Sequence, residues 1–151
     1  MTAIQSDPAL VVCPRCVSVN RVPVRRLDQH PQCGRCKQPL FRGEPIVADS
    51  HAFARHVEAG SLPVLVDFWA PWCGPCRAMA PAFAAAAREL EPGMRLLKID
   101  TQAEEAVAAR FAIHSIPTMI LFANGHEIKR TAGAMDRQSI IAWADRNRPS
   151  S

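Results

Sequence analysis

Trp72-Cys73-Gly74-Pro75-Cys76 sets two thiols two residues apart, directly after the apolar run 62–70. Cysteines at that spacing can close a small disulfide and reopen it. The apolar run predicts a buried strand, and the alanine-rich residues that follow predict a helix. Cys73 then falls at a helix N-terminus, where unpaired N–H groups and the positive end of the dipole favour a thiolate. The thiolate is the form that attacks a disulfide. The run therefore predicts a reversible dithiol redox site.

Four more cysteines repeat the spacing upstream. Cys13-Pro14-Arg15-Cys16 and Cys33-Gly34-Arg35-Cys36 form an internal repeat with 16 residues between them. That interval lies inside the pattern of tetrathiolate zinc sites. The alternating valines of 17–24 suit short strands. Together they resemble a zinc ribbon, with two thiolate knuckles on hairpin turns around one tetrahedral ion. Such a site has no open position, so its Zn²⁺ is expected to be structural. Arg15 and Arg35, inside the knuckles, suit the negative charge of a tetrathiolate centre. Structural disulfides and an iron–sulfur cluster are the competing uses of four thiols. A reducing compartment argues against the first, and the ribbon spacing favours zinc over the second. His30 lies near the second pair, but four cysteines already complete the set. Oxidation of Cys13, Cys16, Cys33 or Cys36 would release the ion, which makes redox sensing a further expectation.

The elements around these sites divide the chain at about Gly43-Glu44-Pro45. A module over 1–43 has too few large apolar residues to fold alone, and metal binding would supply the missing free energy. From Ile46 strand and helix patterns alternate. Asp49-Ser50 caps a stretch carrying Phe53, His56 and Val57. A helix over 73–91 contains Pro81, which predicts a kink. A buried strand covers 95–100, and Thr101-Gln102-Ala103-Glu104 reads as a capping box opening a helix to about Phe111. Strands over 118–122 and 127–131 flank Asn124-Gly125, a strong hairpin signal. A last helix covers 136–148. The fold class is α/β: a mixed sheet with helices on both faces. His51, His56, His114 and His126 have no partner visible in the sequence and are expected at the surface.

The net charge of +4 sits before Ile46, where seven basic and three acidic residues fall, while the rest of the chain balances. Basic residues beside a metal–thiolate centre account for that excess, so nucleic acid is not expected as a partner. No apolar run reaches the length of about 18 residues that a membrane span needs. Residues 1–10 lack a basic segment followed by an apolar core, so no secretory signal is expected and a cytoplasmic location is.

Residues 46–148 resemble the thioredoxin family. The matching features are Asp67-Phe68-Trp69-Ala70-Pro71-Trp72-Cys73-Gly74-Pro75-Cys76, then Pro81, Ile116-Pro117-Thr118, Asn124-Gly125 and Gly133-Ala134. With the two N-terminal pairs, the whole chain is similar to zinc-containing bacterial thioredoxins of the thioredoxin 2 type. The resemblance implies a thioredoxin fold and a protein-disulfide reductase, an electron donor working through a mixed disulfide. Cys73 would be the nucleophile and Cys76 the resolving thiol. An NADPH-dependent flavoprotein, thioredoxin reductase, would restore the dithiol. No organic cofactor of the chain's own is implied, and the protein is expected to be a monomer.

The resemblance also assigns supporting roles. Asp67 is an acid in an apolar strand, so burial should raise its pKa; the matching acid of the family helps move the proton of the resolving cysteine. Pro117 is expected cis, with the Ile116 backbone turned toward substrate. Trp72, Gly74, Pro75, Ile116 and Gly133 would form an apolar rim around Cys73, while Trp69 packs inward. Two positions depart from the pattern. Leu96 stands where a buried lysine is common, and strand alternation is taken to turn Lys98 away, leaving Asp67 without a cation. Ser115 replaces a frequent glycine. A disulfide oxidant or isomerase is a weaker reading, given Gly-Pro between the cysteines. A partner-binding module built on the basic ribbon is compatible with the main one.

Overall fold

The computed structural model describes residues 6–149, so the first five residues of the expected 1–43 module lie outside the described residues. Strands β1 (Ala9–Val12) and β2 (Val19–Val22) pair antiparallel, with Ala9 opposite Val22 and Val12 opposite Val19. The chain continues through β3 (Ile46–Val47), α1 (Ser50–Ala54) and a π turn over Arg55–Ala59. Then come β4 (Val64–Trp69), α2 (Gly74–Leu90), β5 (Arg95–Asp100) and α3 (Glu105–Arg110). The hairpin β6 (Thr118–Ala123) and β7 (His126–Ala132) and the helix α4 (Arg137–Asn147) complete it.

The main sheet has the order β3-β5-β4-β6-β7. β5 runs parallel to β3 and β4, while β6 and β7 run antiparallel to their neighbours. Strands buried on both faces carry near-continuous apolar runs, and 64–69, interrupted by Asp67, and 118–123, after Thr118, provide them. One face carries Leu65, Leu96, Met119 and Leu121 against Met79, Phe83, Leu90, Ile140 and Trp143 of α2 and α4. The other carries Val64, Val66, Phe68, Leu97, Ile99 and Phe122 against Phe53, Val57 and Val107. Both faces of the sheet are therefore closed over by helices, as the alternating pattern predicts.

Local chemistry sets the element ends. Asp49 Oδ1 accepts from the Ala52 N–H at 2.8 Å and opens α1. Asp136 does the same for α4 through Ser139, also at 2.8 Å. Asn124 and Gly125 both have positive φ (53° and 79°), the conformation of a type I′ hairpin turn. α2 runs through Pro81 as one continuous helix.

Two local expectations are corrected. The residues 101–104 form no capping box. The hydroxyl of Thr101 donates to the Trp69 carbonyl at 3.1 Å, and Glu104 accepts from the Ser50 N–H at 2.9 Å. Tertiary partners win these side chains, and α3 starts at Glu105 with no side-chain cap. His56 is not a surface residue either. It is 3% exposed on the π turn, and its Nε2 has no hydrogen-bond partner among the described residues. Burial, with Arg95 and Arg55 nearby, pushes its pKa down to about 3, so it is neutral at ordinary pH.

The cysteine module lies against the sheet domain. Ser61 N donates to the Leu10 carbonyl at 2.9 Å, and Leu10 N donates back to Ser61 Oγ at 2.8 Å. Arg55 donates through Nε and Nη2 to the Val17 carbonyl at 3.2 and 3.0 Å. The small core of the module holds Ala9, Val11, Val22, Leu27 and Leu40, and Leu62 from the sheet domain joins it.

Candidate redox and metal sites

β4 delivers its last residue, Trp69, to one end of the sheet, and α2 starts five residues later. Cys73 is the N-cap of α2, in extended conformation, and its Sγ accepts from the Cys76 N–H at 3.2 Å. Pro75 fits the first turn because N–H groups there have no intrahelical acceptor. Cys73 and Cys76 are joined as a disulfide. Both are nearly covered, at 4% and 2% exposure, and they cluster with Ala70, Trp69 and Ile116. The helix N-terminus places an N–H donor and the positive dipole end at Cys73, and both lower the energy of a thiolate there.

The expected rim residues surround this point unevenly. Trp72 is 68% exposed, and Gly74 and Pro75 are exposed as well. Ile116 is half-buried and precedes a cis bond to Pro117. Its carbonyl oxygen lies 3.9 Å from Cys73 Sγ. Gly133 donates its N–H to the Pro117 carbonyl at 2.9 Å and takes φ 101°, a conformation suited to glycine. Ser115 is exposed, and its carbonyl accepts from the Thr118 hydroxyl at 2.6 Å.

Asp67 is fully buried, and neither carboxylate oxygen has a hydrogen-bond partner among the described residues. Burial pushes its pKa up to about 7, and Lys98 opposes the rise. Here the reading of the departures is corrected. Asp67 and Lys98 are register partners on adjacent parallel strands, which turns both side chains to one face. Leu96 and Lys98 are two residues apart, so alternation puts them on the same side as well. Lys98 Nζ sits 4.5 Å over the Trp69 ring, and Trp69 is two residues from Asp67. A cation does accompany Asp67; it stands at 98, and Leu96 belongs to the apolar core.

The four remaining cysteines converge from two loops built alike. In the first, Cys13 Sγ accepts from the N–H groups of Arg15 and Cys16 at 3.3 and 3.4 Å, and Val17 closes the turn with φ 57°. In the second, Cys33 Sγ accepts from Arg35 and Cys36 at 3.4 and 3.5 Å, and Lys37 closes it with φ 66°. The internal repeat in sequence is thus a repeat in hydrogen bonding. The sulfurs of Cys13, Cys16, Cys33 and Cys36 lie within 4.8 Å of one another. Burial pushes the Cys13 thiol up to about 11. At Cys33 burial acts the same way, but the N–H groups of Cys36 and Arg35 and the Asn20 amide outweigh it and bring the thiol down to about 6. Four convergent soft donors with N–H groups aimed at sulfur fit a tetrahedral thiophilic ion such as Zn²⁺. His30 is not among the residues that converge there.

Asn20 was missed from sequence. Its Oδ1 accepts from Gly34 N at 2.8 Å and its Nδ2 lies 3.6 Å from Cys33 Sγ, so it ties β2 to the second knuckle. An asparagine between Val19 and Arg21 carries no cue to that role. Among the described residues, no helix is long and apolar enough to cross a membrane.

Known proteins share this arrangement. Residues 44–146 match the thioredoxin family, and residues 12–38 match the zinc ribbon family described as thioredoxin 2, N-terminal. Thioredoxin C-3 of Corynebacterium nephridii is 41% identical over 136 residues, covering 90% of this chain and 93% of that one. The chloroplastic M-type thioredoxin of Chlamydomonas reinhardtii is 34% identical over 128 residues, covering 83% and 91%. Among solved structures, a mutant thioredoxin from Halobacterium salinarum superposes with a TM-score of 0.63 at 25% identity, covering 72% and 95%. A fold with a Cys73–Cys76 disulfide at the N-terminus of its second helix, a four-cysteine cluster ahead of it and these relatives lead to one conclusion: the chain belongs to the thioredoxin family of thiol–disulfide oxidoreductases, with a thioredoxin 2-type zinc ribbon ahead of the thioredoxin domain.

Proposed function

We propose that the protein is a general protein-disulfide reductase in which Cys73 is the nucleophile, Cys76 the resolving thiol and Asp67 the proton acceptor. The observation that carries this reading is Cys73 at the N-cap of α2, with its sulfur accepting the Cys76 N–H. The Cys73 thiolate attacks one sulfur of a substrate disulfide. A Cys73–substrate bond forms as the substrate bond breaks, and the other substrate sulfur leaves as a thiolate and takes a proton. Cys76 then gives its proton toward the Asp67 carboxylate and attacks Cys73 Sγ. The substrate leaves reduced by two electrons, and Cys73–Cys76 is left as a disulfide. Asp67 suits this step because a carboxyl with a pKa of about 7 changes state near neutral pH. Trp72, Gly74, Pro75, Ile116, Pro117 and Gly133 form the docking rim, where an extended substrate segment pairs with the Ile116 backbone.

In this reading thioredoxin reductase returns the two electrons from NADPH. The chain divides into a module over 1–43 and a thioredoxin domain over 46–148. Cys13, Cys16, Cys33 and Cys36 would hold one Zn²⁺, whose contribution is to fix the two knuckles. The test is turnover of a protein disulfide with NADPH and thioredoxin reductase, with zinc quantified alongside. The intact protein should turn over. Cys73→Ser should abolish turnover while keeping about one zinc per chain, and Cys76→Ser should trap the mixed disulfide. An intact protein without reductase-coupled activity, or a Cys73→Ser variant that retains it, refutes the assignment.

A further inference from the structure

Beside the Arg55 and Ser61 contacts, a third residue ties the ribbon to the thioredoxin domain: Arg95, the first of β5. Its side chain is 2% exposed. Nη2 donates to the Val12 carbonyl at 2.7 Å, and Nη1 donates to the Leu40 carbonyl at 2.8 Å. Nη1 also lies 3.3 Å from Glu91 Oε2, and the guanidinium stacks 4.7 Å from the centre of the Phe41 ring. Val12 directly precedes Cys13, and Leu40 follows the second knuckle by four residues. One guanidinium therefore grips both chain passages that carry the thiolates.

The other end of the contact is equally specific. Glu91 is the C-cap of α2, the helix whose N-terminus holds Cys73. Its second oxygen accepts from Gly43 N at 2.9 Å, where the ribbon hands over to the domain. Burial pulls the Arg95 pKa down to about 10, with Glu91 opposing, so the group is a cation at neutral pH. A planar fork is the side chain that can hold two carbonyls and a carboxylate together.

We propose that Arg95 is the positioning residue that couples metal binding in the ribbon to the order of the thioredoxin domain. The proposal rests on the reading that the four cysteines hold zinc. A ribbon without metal cannot keep the Val12 and Leu40 carbonyls and the Phe41 ring in place. The guanidinium then loses two of the three acceptors named above, and a buried donor left without acceptors costs more than a satisfied one contributes. That cost falls on the α2–β5 corner, which Glu91 and Arg95 form. Linkage makes the effect reciprocal: whatever factor the metal supplies to the corner, the corner supplies to metal affinity.

The test uses the full chain with thiols kept reduced, zinc-loaded or stripped by a chelator. Two readouts are taken: zinc affinity by chelator competition, and amide hydrogen exchange over 91–100. In the wild type, stripping should speed exchange over 91–100 about tenfold or more. In Arg95→Met, zinc should bind about tenfold more weakly, and stripping should leave exchange over 91–100 unchanged. If Arg95→Met does not fold, the double variant Arg95→Met/Glu91→Gln, which removes both buried charges, takes its place. Wild-type zinc affinity in the variant, or an undiminished response to stripping, overturns the proposal. A wild type that binds no zinc at all overturns the metal reading instead. Zinc affinity is a property that a merely structural residue of the sheet domain would leave untouched.

Discussion

Asp67→Asn should stabilise the protein increasingly as pH rises. The carboxyl is buried, its oxygens have no hydrogen-bond partner among the described residues, and its pKa is about 7 against an ordinary 3.8. Between those values the folded protein keeps a proton that the unfolded chain has released. Below pH 3.8 both states are protonated and the group is neutral in the balance. As pH rises toward 7 the folded state loses ground, because ν for the unfolded chain is the smaller. Above 7 the loss is complete. At about 1.4 kcal/mol per pH unit, a gap of about three units is worth about 4 kcal/mol. Asparagine has nearly the same shape and does not titrate, so its own cost of burial is independent of pH. The variant should therefore gain about 4 kcal/mol on the wild type between pH 4 and pH 8. Urea unfolding of both proteins in the disulfide form, at pH 4, 6 and 8, reads this directly, since Cys73 and Cys76 do not titrate there. A difference that stays flat across the series, or one that falls, would refute the assignment of a buried protonated acid.

His56 gives the opposite slope. Its pKa of about 3 against 6.5 means the unfolded chain takes up the proton first, so the wild type loses stability as pH falls below 6.5. His56→Leu should remove that loss and gain about 2 kcal/mol on the wild type by pH 5, measured by urea unfolding. Lys98→Met removes the cation that holds Asp67 down, so the pH profile of the resolving step should move upward. The displacement is upward because Lys98 is the charge that opposes the burial-driven rise at Asp67. Stopped-flow rates of mixed-disulfide resolution by Cys76 would show it, and an unmoved profile would put Lys98 outside the proton path. Asp136→Ala removes the cap of α4, whose Ile140 and Trp143 fill the main core, and should cost about 1 kcal/mol by thermal unfolding.

The chemistry-bearing residues were legible because their types are rare and their spacing is local. Cys73 and Cys76 share the first turn of one helix, and each knuckle lies within five residues. The strands 64–69 and 118–123 were legible for a different reason: both faces are covered, so the runs are apolar apart from Asp67 and Thr118. What was lost depended on partners far along the chain. The Thr101 and Glu104 side chains look like a cap by local rules, yet Trp69 and Ser50, 32 and 54 residues away, take them. His56 reads as a polar residue with no visible partner, yet the fold buries it with Arg55 and Arg95 close by, one adjacent in sequence and one far along the chain. Residues two apart on a strand share a face, so Lys98 lies on the same side of β5 as Leu96 and beside Asp67 in register.

Arg95 was illegible for the same reason, and its place explains why β5 matters twice. Along this strand Arg95, Leu97 and Ile99 alternate with Leu96, Lys98 and Asp100. Leu97 and Ile99 pack on the α1 side, while Leu96 packs beneath α2. The first residue of the strand grips the carbonyls beside both knuckles, and the fourth sits opposite Asp67. Three peptide units of a central strand separate the two. β4 pairs with this strand from Arg95 to Asp100, and β3 pairs with it at Leu97 and Lys98. In the proposed coupling, a change in how the ribbon seats on Arg95 acts first on the Glu91–Arg95 corner and on β5, which starts there. The corner joins one carboxylate to one guanidinium and lies within 91–100, so exchange over those residues is the place to look for it.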